Sequence, residues 1–199
     1  CELGGWDPHN LTEDADLGMR IARRGWGVRM MASVTEEEAN SDLGNWLRQR
    51  SRLIKGHLQT WLVHTRHPAR LLRELGPARF AAMHLTLGYP LFAALINPIL
   101  WLVGLGSLLG GPALVSPLLP PWFYIAGLIG LGAGYLATIA QLIMACWPRP
   151  RLRHALTAAA TIPLYWLLQS VAGYKGLIQL LRPSQRHYWE LTRHGLVDG

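Results

Sequence analysis

The chain has 199 residues, of which half are hydrophobic and only 16% are charged. Soluble domains carry about 25% charged residues, and a disordered chain would need still more charge and less hydrophobicity, so disorder is excluded. The 19 Lys and Arg residues outnumber the 12 Asp and Glu residues, which gives a net charge of +7. Cys1 and Cys146 are too few for a disulfide framework, and neither has a neighbour at metal-ligand spacing.

Local signals in the polar first third of the chain predict two helices and a short strand. Thr12 is an N-cap residue, the acidic residues after it favour a first helical turn, and Gly25 ends that helix. The alternating residues 26–32 predict a strand, and a second, longer helix is predicted from about Asp42 to His64. We therefore expect residues 1–65 to be the C-terminal part of a cytoplasmic α/β domain.

A basic belt follows and leads directly into the apolar half of the chain. Between positions 48 and 79 there are eight Lys or Arg residues and one acid, Glu74. Such a belt is typical of a collar that is attracted to anionic lipid, at roughly 1 kcal/mol per side chain. We expect residues 66–79 to form a basic interfacial segment, and we expect no nucleic-acid partner.

The middle of the chain predicts membrane spans. No Asp, Glu, Lys or Arg occurs from Phe80 to Pro148. A bilayer core takes about 20 apolar residues per helix, so this stretch has room for two transmembrane helices, at 80–109 and 122–147, on either side of a Gly- and Pro-rich turn. A large buried hairpin of a soluble protein is the alternative.

A third apolar stretch, 155–181, is less regular. It is interrupted by Pro163, carries Lys175 and has arginines at both ends. The positive-inside rule places the basic flanks of all these segments in the cytoplasm. We therefore predict a re-entrant or interfacial element that is broken near Pro163 and returns a tail, 182–199, to the cytoplasm; a third transmembrane helix is the alternative.

Two short motifs carry the chemistry. Glu13, Asp14 and Asp16 place three carboxylates within four residues, where they repel one another unless a helix N-terminus, a cation or a substrate compensates. Gln49 and Arg52 lie at i and i+3, so a helix brings them to one face, where the forked guanidinium suits a diphosphate. Taken singly, these motifs are an ordinary capped helix and an ordinary basic helix.

Taken in order, the motifs resemble a known family. The Gly-Gly-Trp-Asp sequence at 4–7, the Thr-Glu-Asp sequence at 12–14, Gln49-x-x-Arg52 and then apolar spans are similar to the C-terminal half of membrane-bound processive family-2 glycosyltransferases. Cellulose, hyaluronan and poly-N-acetylglucosamine synthases typify this family, whose pattern includes T-E-D and Q-x-x-R-W. The resemblance implies an α-rich membrane protein, in which a partial GT-A-type α/β cytoplasmic segment precedes two to three transmembrane or interfacial helices.

The resemblance also implies roles for individual residues. Asp14 would be the catalytic general base, and Gln49 and Arg52 would bind the leaving nucleotide diphosphate, with Arg50 and Lys55 adding to the positive field. The tail would supply a gating loop that covers the nucleotide. The substrate-binding residues implied in this way are Thr12, Glu13, Gln49, Arg50, Arg52, Leu53, Trp189, Thr192 and Arg193.

Two departures from the family pattern matter. Leu53 stands where the family has a Trp that stacks on the acceptor sugar. The nucleotide-binding half with the D-x-D metal site is also missing, so the Mg²⁺ or Mn²⁺ that the resemblance implies has no ligands in these residues. We expect these 199 residues to be inactive by themselves and the longer parent chain to be the enzyme.

The partners implied by the resemblance are a nucleotide-sugar donor, a polysaccharide or glycolipid acceptor, the lipid bilayer and export partner subunits. The implied location is a bacterial-type inner (plasma) membrane with the catalytic segment in the cytoplasm. Two alternatives stay open. One is a non-catalytic membrane scaffold or transport subunit, and the other is a transferase that uses a lipid-linked acceptor.

Overall fold

The computed structural model describes residues 3–29, 31, 33, 40–111, 120–146, 152–188, 190 and 191. These residues are mostly helical, and we number the helices in chain order. A single π-helical turn at His84–Gly88 joins α3 to α4, and a short 3₁₀ turn at Pro183–Gln185 follows α6. The helices are α1 (Glu13–Arg23), α2 (Leu43–His64), α3 (Pro68–Met83), α4 (Tyr89–Gly110), α5 (Pro121–Cys146) and α6 (Leu152–Leu181).

The prediction of a strand at 26–32 is wrong for the described residues of that range. Residues 26–29 and 31 have no strand conformation, and residues 30 and 32 lie outside the described part. A strand needs hydrogen bonds from a neighbouring strand, and the described part of the chain contains none. The expected α/β sheet is therefore not seen, although both helices predicted around it are present.

Helices α1 and α2 begin where the sequence predicts. Thr12 occupies the N-cap position of α1, acidic residues fill its first turn, and Gly25, with a φ of +77°, follows its end. Asp42 caps α2, because its Oδ1 accepts a hydrogen bond from the backbone N–H of Asn45 at 2.6 Å. The cap fixes the start of the helix that carries the Gln49 and Arg52 motif.

Helix α3 contains a sharp bend within the segment predicted to be interfacial. Gly76 has φ +75° and ψ 165°, a conformation that is not helical and that L-residues with a side chain rarely adopt. Pro77 follows and restarts the helix, as proline does readily at a first helical position. The basic part that ends at Leu75 thus has a different direction from the apolar part that starts at Pro77.

Two helical stretches are long and apolar enough to cross a membrane, judged by length and composition. They are Pro68–Gly110 and Pro121–Met144, whose most hydrophobic 18-residue windows have mean hydropathies of 1.9 and 1.7. Most of the apolar surface of the second stretch faces outward, since its most hydrophobic window contains no buried residue. The two stretches overlap the spans that the sequence predicts at 80–109 and 122–147.

Helix α6 passes through Pro163 without ending. It runs from Leu152 to Leu181, so the break predicted near Pro163 is wrong. Proline removes one backbone hydrogen bond, but apolar helices tolerate this loss where neighbouring groups satisfy the freed carbonyl. Whether 155–181 spans, re-enters or lies on the membrane stays a prediction.

The chain divides into two compact units. The first comprises residues 1–95 and 169–199 and holds every candidate site residue that the structure describes. The second comprises residues 96–168, where the Tyr135 hydroxyl donates a hydrogen bond to the carbonyl of Ala159 at 2.9 Å. The core of the first unit is apolar and consists of Leu71, Leu75 and Met83, packed against Met19, Ala22, Trp61, Phe80 and Leu87.

Candidate active site

The site is built where the start of α1 meets α2. A β-carbon placed on Gly56 would lie 2.5 Å from Thr12 Cγ2 and 2.8 Å from Thr12 Oγ1, so only glycine allows the two segments to approach this closely. This contact holds the start of α1, with Glu13 and Asp14, against the middle of α2.

A buried network of polar side chains fixes the same junction. Asn10 Nδ2 donates to Thr60 Oγ1 at 2.8 Å, and Asn10 Oδ1 accepts from the backbone N–H of Thr12 at 3.1 Å. The hydroxyls of Thr12 and Thr60 lie 3.3 Å apart. All three residues are buried, so their hydrogen bonds are shielded from water and stabilise one placement of the loop. Thr12 therefore acts by packing and hydrogen bonding across to α2, since its side chain does not cap α1.

The charges of α1 act on α2 across this junction. Burial lowers the pKa of the Arg52 guanidinium, and the carboxylates of Glu13 and Glu190 oppose that effect. Burial likewise lowers the pKa of His57, and the carboxylate of Asp14 opposes it. Glu13 thus acts electrostatically on Arg52 and Asp14 on His57, so the Thr-Glu-Asp segment borders the basic face of α2.

The three clustered carboxylates have different surroundings. Asp14 is exposed, and its Oδ1 accepts a hydrogen bond from the backbone N–H of Ala15 at 2.8 Å. Asp16 points inward, where it accepts from His64 Nε2 at 2.8 Å and pairs with Arg20 at 2.8 Å. Asp16 is therefore committed to the packing of α1, whereas Asp14 at the helix N-terminus is available to a bound molecule.

His64 extends this structural network to α3. Its Nε2 lies against Asp16 and its Nδ1 lies 3.1 Å from Arg23 Nη1, so a neutral ring donates to the carboxylate and accepts from the guanidinium. Arg23 also pairs with Glu74 of α3 at 2.6 Å. Burial lowers the pKa of His64 despite the opposing carboxylate, which agrees with the neutral form.

The remaining predicted residues of α2 are placed as follows. Gln49 Oε1 accepts from Asn40 Nδ2 at 3.4 Å, and Leu53 is half-buried. The Arg50 guanidinium lies over the Trp46 ring, 5.7 Å from its centroid, one turn earlier in the helix. Arg50 thus makes a cation–π contact with its own helix, so part of its charge is engaged there.

Lys55 has a role that sequence reasoning did not identify. Its side chain is completely buried, and its Nζ donates to the backbone carbonyls of Gln185 at 3.2 Å and Tyr188 at 2.9 Å. Burial lowers its pKa, an effect that Glu190 opposes. The ammonium therefore fastens the C-terminal segment to α2, in place of the expected contribution to an open positive field.

Glu190 is the centre of a second cluster that sequence reasoning missed. Its carboxylate accepts hydrogen bonds from Ser51 Oγ at 3.1 Å, Lys175 Nζ at 2.9 Å and Gln179 Nε2 at 3.0 Å. Its backbone carbonyl accepts from Arg52 Nη1 at 3.4 Å. Burial works to raise the pKa of Glu190, but these donors outweigh it, so the pKa lies below the ordinary value and the carboxylate is ionised.

The cluster places the start of the C-terminal tail beside Arg52. Helix α6 approaches closely there, because a β-carbon on Gly176 would lie 2.8 Å from the carbonyl oxygen of Ser51. The expected gating residues Trp189, Thr192 and Arg193 lie outside the described residues. One signal could have identified Glu190: it is the first acidic residue after Glu74 in an otherwise neutral and basic stretch.

The described side chains do not fit a divalent metal. Within the described ranges, there is no group of three or more His, Cys, Asp or Glu residues that could hold an ion. Asp14 and Glu13 are adjacent, but no third ligand accompanies them there. Around the junction of α1 and α2, the candidate site offers the exposed carboxylate of Asp14, the guanidinium of Arg52 and the side-chain amide of Gln49.

Comparison with known proteins defines the class. The family described as glycosyl transferase family group 2 matches residues 2–181, and the chain belongs to this family. A curated relative, the probable glycosyltransferase YdaM of Bacillus subtilis (strain 168), is 37% identical over 57 residues, which are 28% of this chain and 14% of that relative. The chain therefore aligns with a small part of that protein. No solved structure matches the chain.

Proposed function

We propose that the chain is part of an inverting glycosyltransferase that moves a sugar from a nucleotide-sugar donor to a growing polysaccharide at the cytoplasmic face of a membrane. Membership of the glycosyltransferase family supports sugar transfer. The observation that carries the proposal for the site is the Thr12–Gly56 contact, which holds the Thr-Glu-Asp segment against α2, where Glu13 acts electrostatically on Arg52 and Asp14 on His57.

In this proposal Asp14 is the general base. Its carboxylate takes the proton from an acceptor hydroxyl while that oxygen attacks the anomeric carbon of the donor, whose bond to the nucleotide diphosphate breaks. Attack from the side opposite the leaving group inverts the anomeric configuration. A positioned base of this kind contributes on the order of 10²–10⁴-fold to the rate.

Arg52 and Gln49 are proposed to bind the departing diphosphate. Negative charge grows on that group as its bond to the sugar breaks, and a fixed guanidinium stabilises the growing charge more than it stabilises the ground state. The contact from Arg52 to the Glu190 carbonyl supports this role, since it orients the side chain before substrate arrives. Thr12, Glu13, Arg50 and Leu53 complete the proposed binding surface.

The tail is proposed to close over the site. Lys55 binds the carbonyls of Gln185 and Tyr188, and Arg52 binds that of Glu190, so a loop that continues from this anchor would start beside Arg52. Trp189, Thr192 and Arg193 are the residues proposed to cover the nucleotide. Closure would exclude water that otherwise hydrolyses the donor.

Several wider features belong to the same proposal. Mg²⁺ or Mn²⁺ would be held by residues other than those described, and no step above depends on the ion. We further propose that the chain is embedded in a bacterial-type inner membrane with its catalytic segment in the cytoplasm, and that export subunits accept the product.

A lipid-linked acceptor is the second candidate. Leu53 supports it, because leucine lacks the π surface that a tryptophan at this position would offer to the terminal sugar of a polymer. The length distribution of the product separates the two, since a lipid-linked acceptor gains one sugar per encounter and a polymer gains many.

A transfer assay tests the proposed function. The complete polypeptide that contains this chain would be placed in membranes with a panel of labelled nucleotide sugars. We expect incorporation with inverted anomeric configuration by NMR, loss of incorporation in Asp14→Asn and retention in Asp42→Asn. Asn caps a helix as well as Asp does, so Asp42→Asn is a matched carboxylate-to-amide control. A non-catalytic scaffold would show no incorporation in any variant.

A further inference from the structure

One face of the C-terminal part of α6 lines an open groove of about 630 Å³. Its walls combine apolar and polar side chains at helical spacing, so an apolar row and a polar row run side by side along the helix. The apolar lining residues are Val171, Tyr174 and Ile178, and the polar ones include Lys175, Gln179 and Arg182.

One part of the groove lies beside the second turn of the apolar helix α4. The Tyr174 hydroxyl donates to the carbonyl of Leu95 at 2.6 Å, and a β-carbon on Gly173 would lie 3.0 Å from the β-carbon of Ala94. Leu95 belongs to the stretch that is apolar enough to cross a membrane. The polar row begins at Lys175, next to Tyr174, and ends at Arg182, about two helical turns further along α6 at roughly 5.4 Å per turn.

Gln179 provides an unused acceptor in this groove. The residue is 7% exposed, and its Nε2 donates to Glu190. Its Oε1 is also buried but has no hydrogen-bond partner among the residues that the structure describes. Buried carbonyl oxygens are almost always paired, so a small rotation of the Gln179 side chain that brings this oxygen to the groove would let a ligand hydroxyl satisfy it.

The charges of the polar row favour an anion. Arg182 is exposed at the end of the groove, and Lys175 is 37% exposed, so its ammonium keeps room for a further acceptor beside Glu190. These two cations face one carboxylate, which leaves the groove with an excess of positive charge. A ligand that fits must therefore join an anionic group to an apolar chain.

We propose that this groove binds an anionic phospholipid with a hydroxylated headgroup, of which phosphatidylglycerol is the simplest example. Its phosphate lies between Lys175 and Arg182, a headgroup hydroxyl donates to Gln179 Oε1, and an acyl chain lies along Tyr174 and its apolar neighbours. The apolar wall selects a lipid over free phosphate, because inorganic phosphate would leave that wall in water. The site does not depend on sugar transfer.

Native mass spectrometry of the complete protein in detergent tests this proposal without any sugar donor. Phosphatidylglycerol, phosphatidylmethanol and phosphatidylcholine would be titrated separately, and the bound fraction would be read for each. We expect phosphatidylglycerol to bind most tightly, phosphatidylmethanol less tightly because it lacks the headgroup hydroxyls, and zwitterionic phosphatidylcholine weakest.

Two arginine variants locate the site. Arg182→Gln removes a cation from the groove. We expect it to weaken the binding of phosphatidylglycerol about five-fold, which is the usual contribution of one basic side chain near an anionic lipid. Arg186→Gln is the matched control, because Arg186 is exposed nearby but does not line the groove. Equal weakening by both variants, equal binding of phosphatidylglycerol and phosphatidylcholine, or displacement of the lipid by millimolar inorganic phosphate would each overturn the proposal.

Discussion

Thr12 and Gly56 touch so closely that a β-carbon at position 56 would lie 2.5 Å from Thr12 Cγ2. This contact joins the acidic start of α1 to the basic face of α2, two segments that are more than 40 residues apart in the sequence. The absence of a side chain at Gly56 therefore lets the start of α1 pack against the middle of α2.

Replacing that glycine should open the junction. In Gly56→Ala the new methyl group overlaps the Thr12 side chain, so we expect the free energy of unfolding to fall by about 1–3 kcal/mol. We also expect transfer activity to fall, because the segment that carries Glu13 and Asp14 would move away from α2. Gly18→Ala is the control: a β-carbon there meets nothing within 4 Å, and alanine favours a helix interior by about 0.5–1 kcal/mol. Thermal unfolding of both variants would be measured in detergent. Equal shifts in melting temperature would refute the close contact.

The anchor formed by Lys55 can be tested separately. Lys55→Met keeps the length of the side chain but leaves the carbonyls of Gln185 and Tyr188 without their donor, which costs about 1–3 kcal/mol. The segment that follows α6 should then detach, and trypsin should cleave after Arg186 faster than in the wild type. An unchanged cleavage rate at Arg186 would show that the ammonium does not hold the tail.

Arg52 should not tolerate replacement by lysine. Arg52→Lys keeps the charge but loses the planar fork, so we expect turnover to fall about 10- to 100-fold and inhibition by the nucleoside diphosphate product to weaken. Arg48→Lys serves as the control, since Arg48 is 39% exposed and its guanidinium is turned toward the start of α2, 4.0 Å from Asp42 and 3.3 Å from Asn45 Oδ1. Steady-state kinetics with added diphosphate distinguish the two, and equal effects would argue against diphosphate binding at Arg52.

His64 should make stability depend on pH near neutrality. Its folded-state pKa is lowered by burial, whereas the unfolded chain takes up a proton at the ordinary pKa of about 6.5. The unfolded state therefore binds more protons below that pH, and stability should decline as the pH falls from about 7 to 5. His64→Leu removes the titrating group together with its hydrogen bonds, so its stability should be lower at pH 7 and less sensitive to pH. Melting temperatures across this range would contradict the account if both proteins lost stability in parallel.

Local chemistry predicted the helices around the site well. The cap at Asp42 and the amphipathic run after it gave the bounds of α2, because capping and periodicity act within a few residues. The prediction of a strand at 26–32 was wrong because a strand depends on a distant partner. Alternating residues describe one strand only, whereas a sheet requires a second strand to pair with it. The prediction of a break at Pro163 was wrong because the cost of a proline in a water-exposed helix overstates its effect on an apolar helix.

The tertiary contacts of the site left weaker signals in the sequence. Glu190 lies 139 residues from Ser51, and nothing near either residue indicates that they form a hydrogen bond. Lys55 looked like one more cation of the basic belt, and only packing reveals that it is completely buried under the tail. Family resemblance identified Asp14 and Arg52, and the assignment of their roles stays a prediction.

Single-turnover kinetics of Asp14→Asn in the complete polypeptide test the central claim most directly. Binding of the nucleotide sugar and the rate of its transfer would be measured separately, with Asp42→Asn alongside. The account predicts that Asp14→Asn binds the donor within about two-fold of the wild type while the transfer step slows by about 10²–10⁴-fold, the usual contribution of a positioned base. A transfer step in Asp14→Asn as fast as in Asp42→Asn would contradict it.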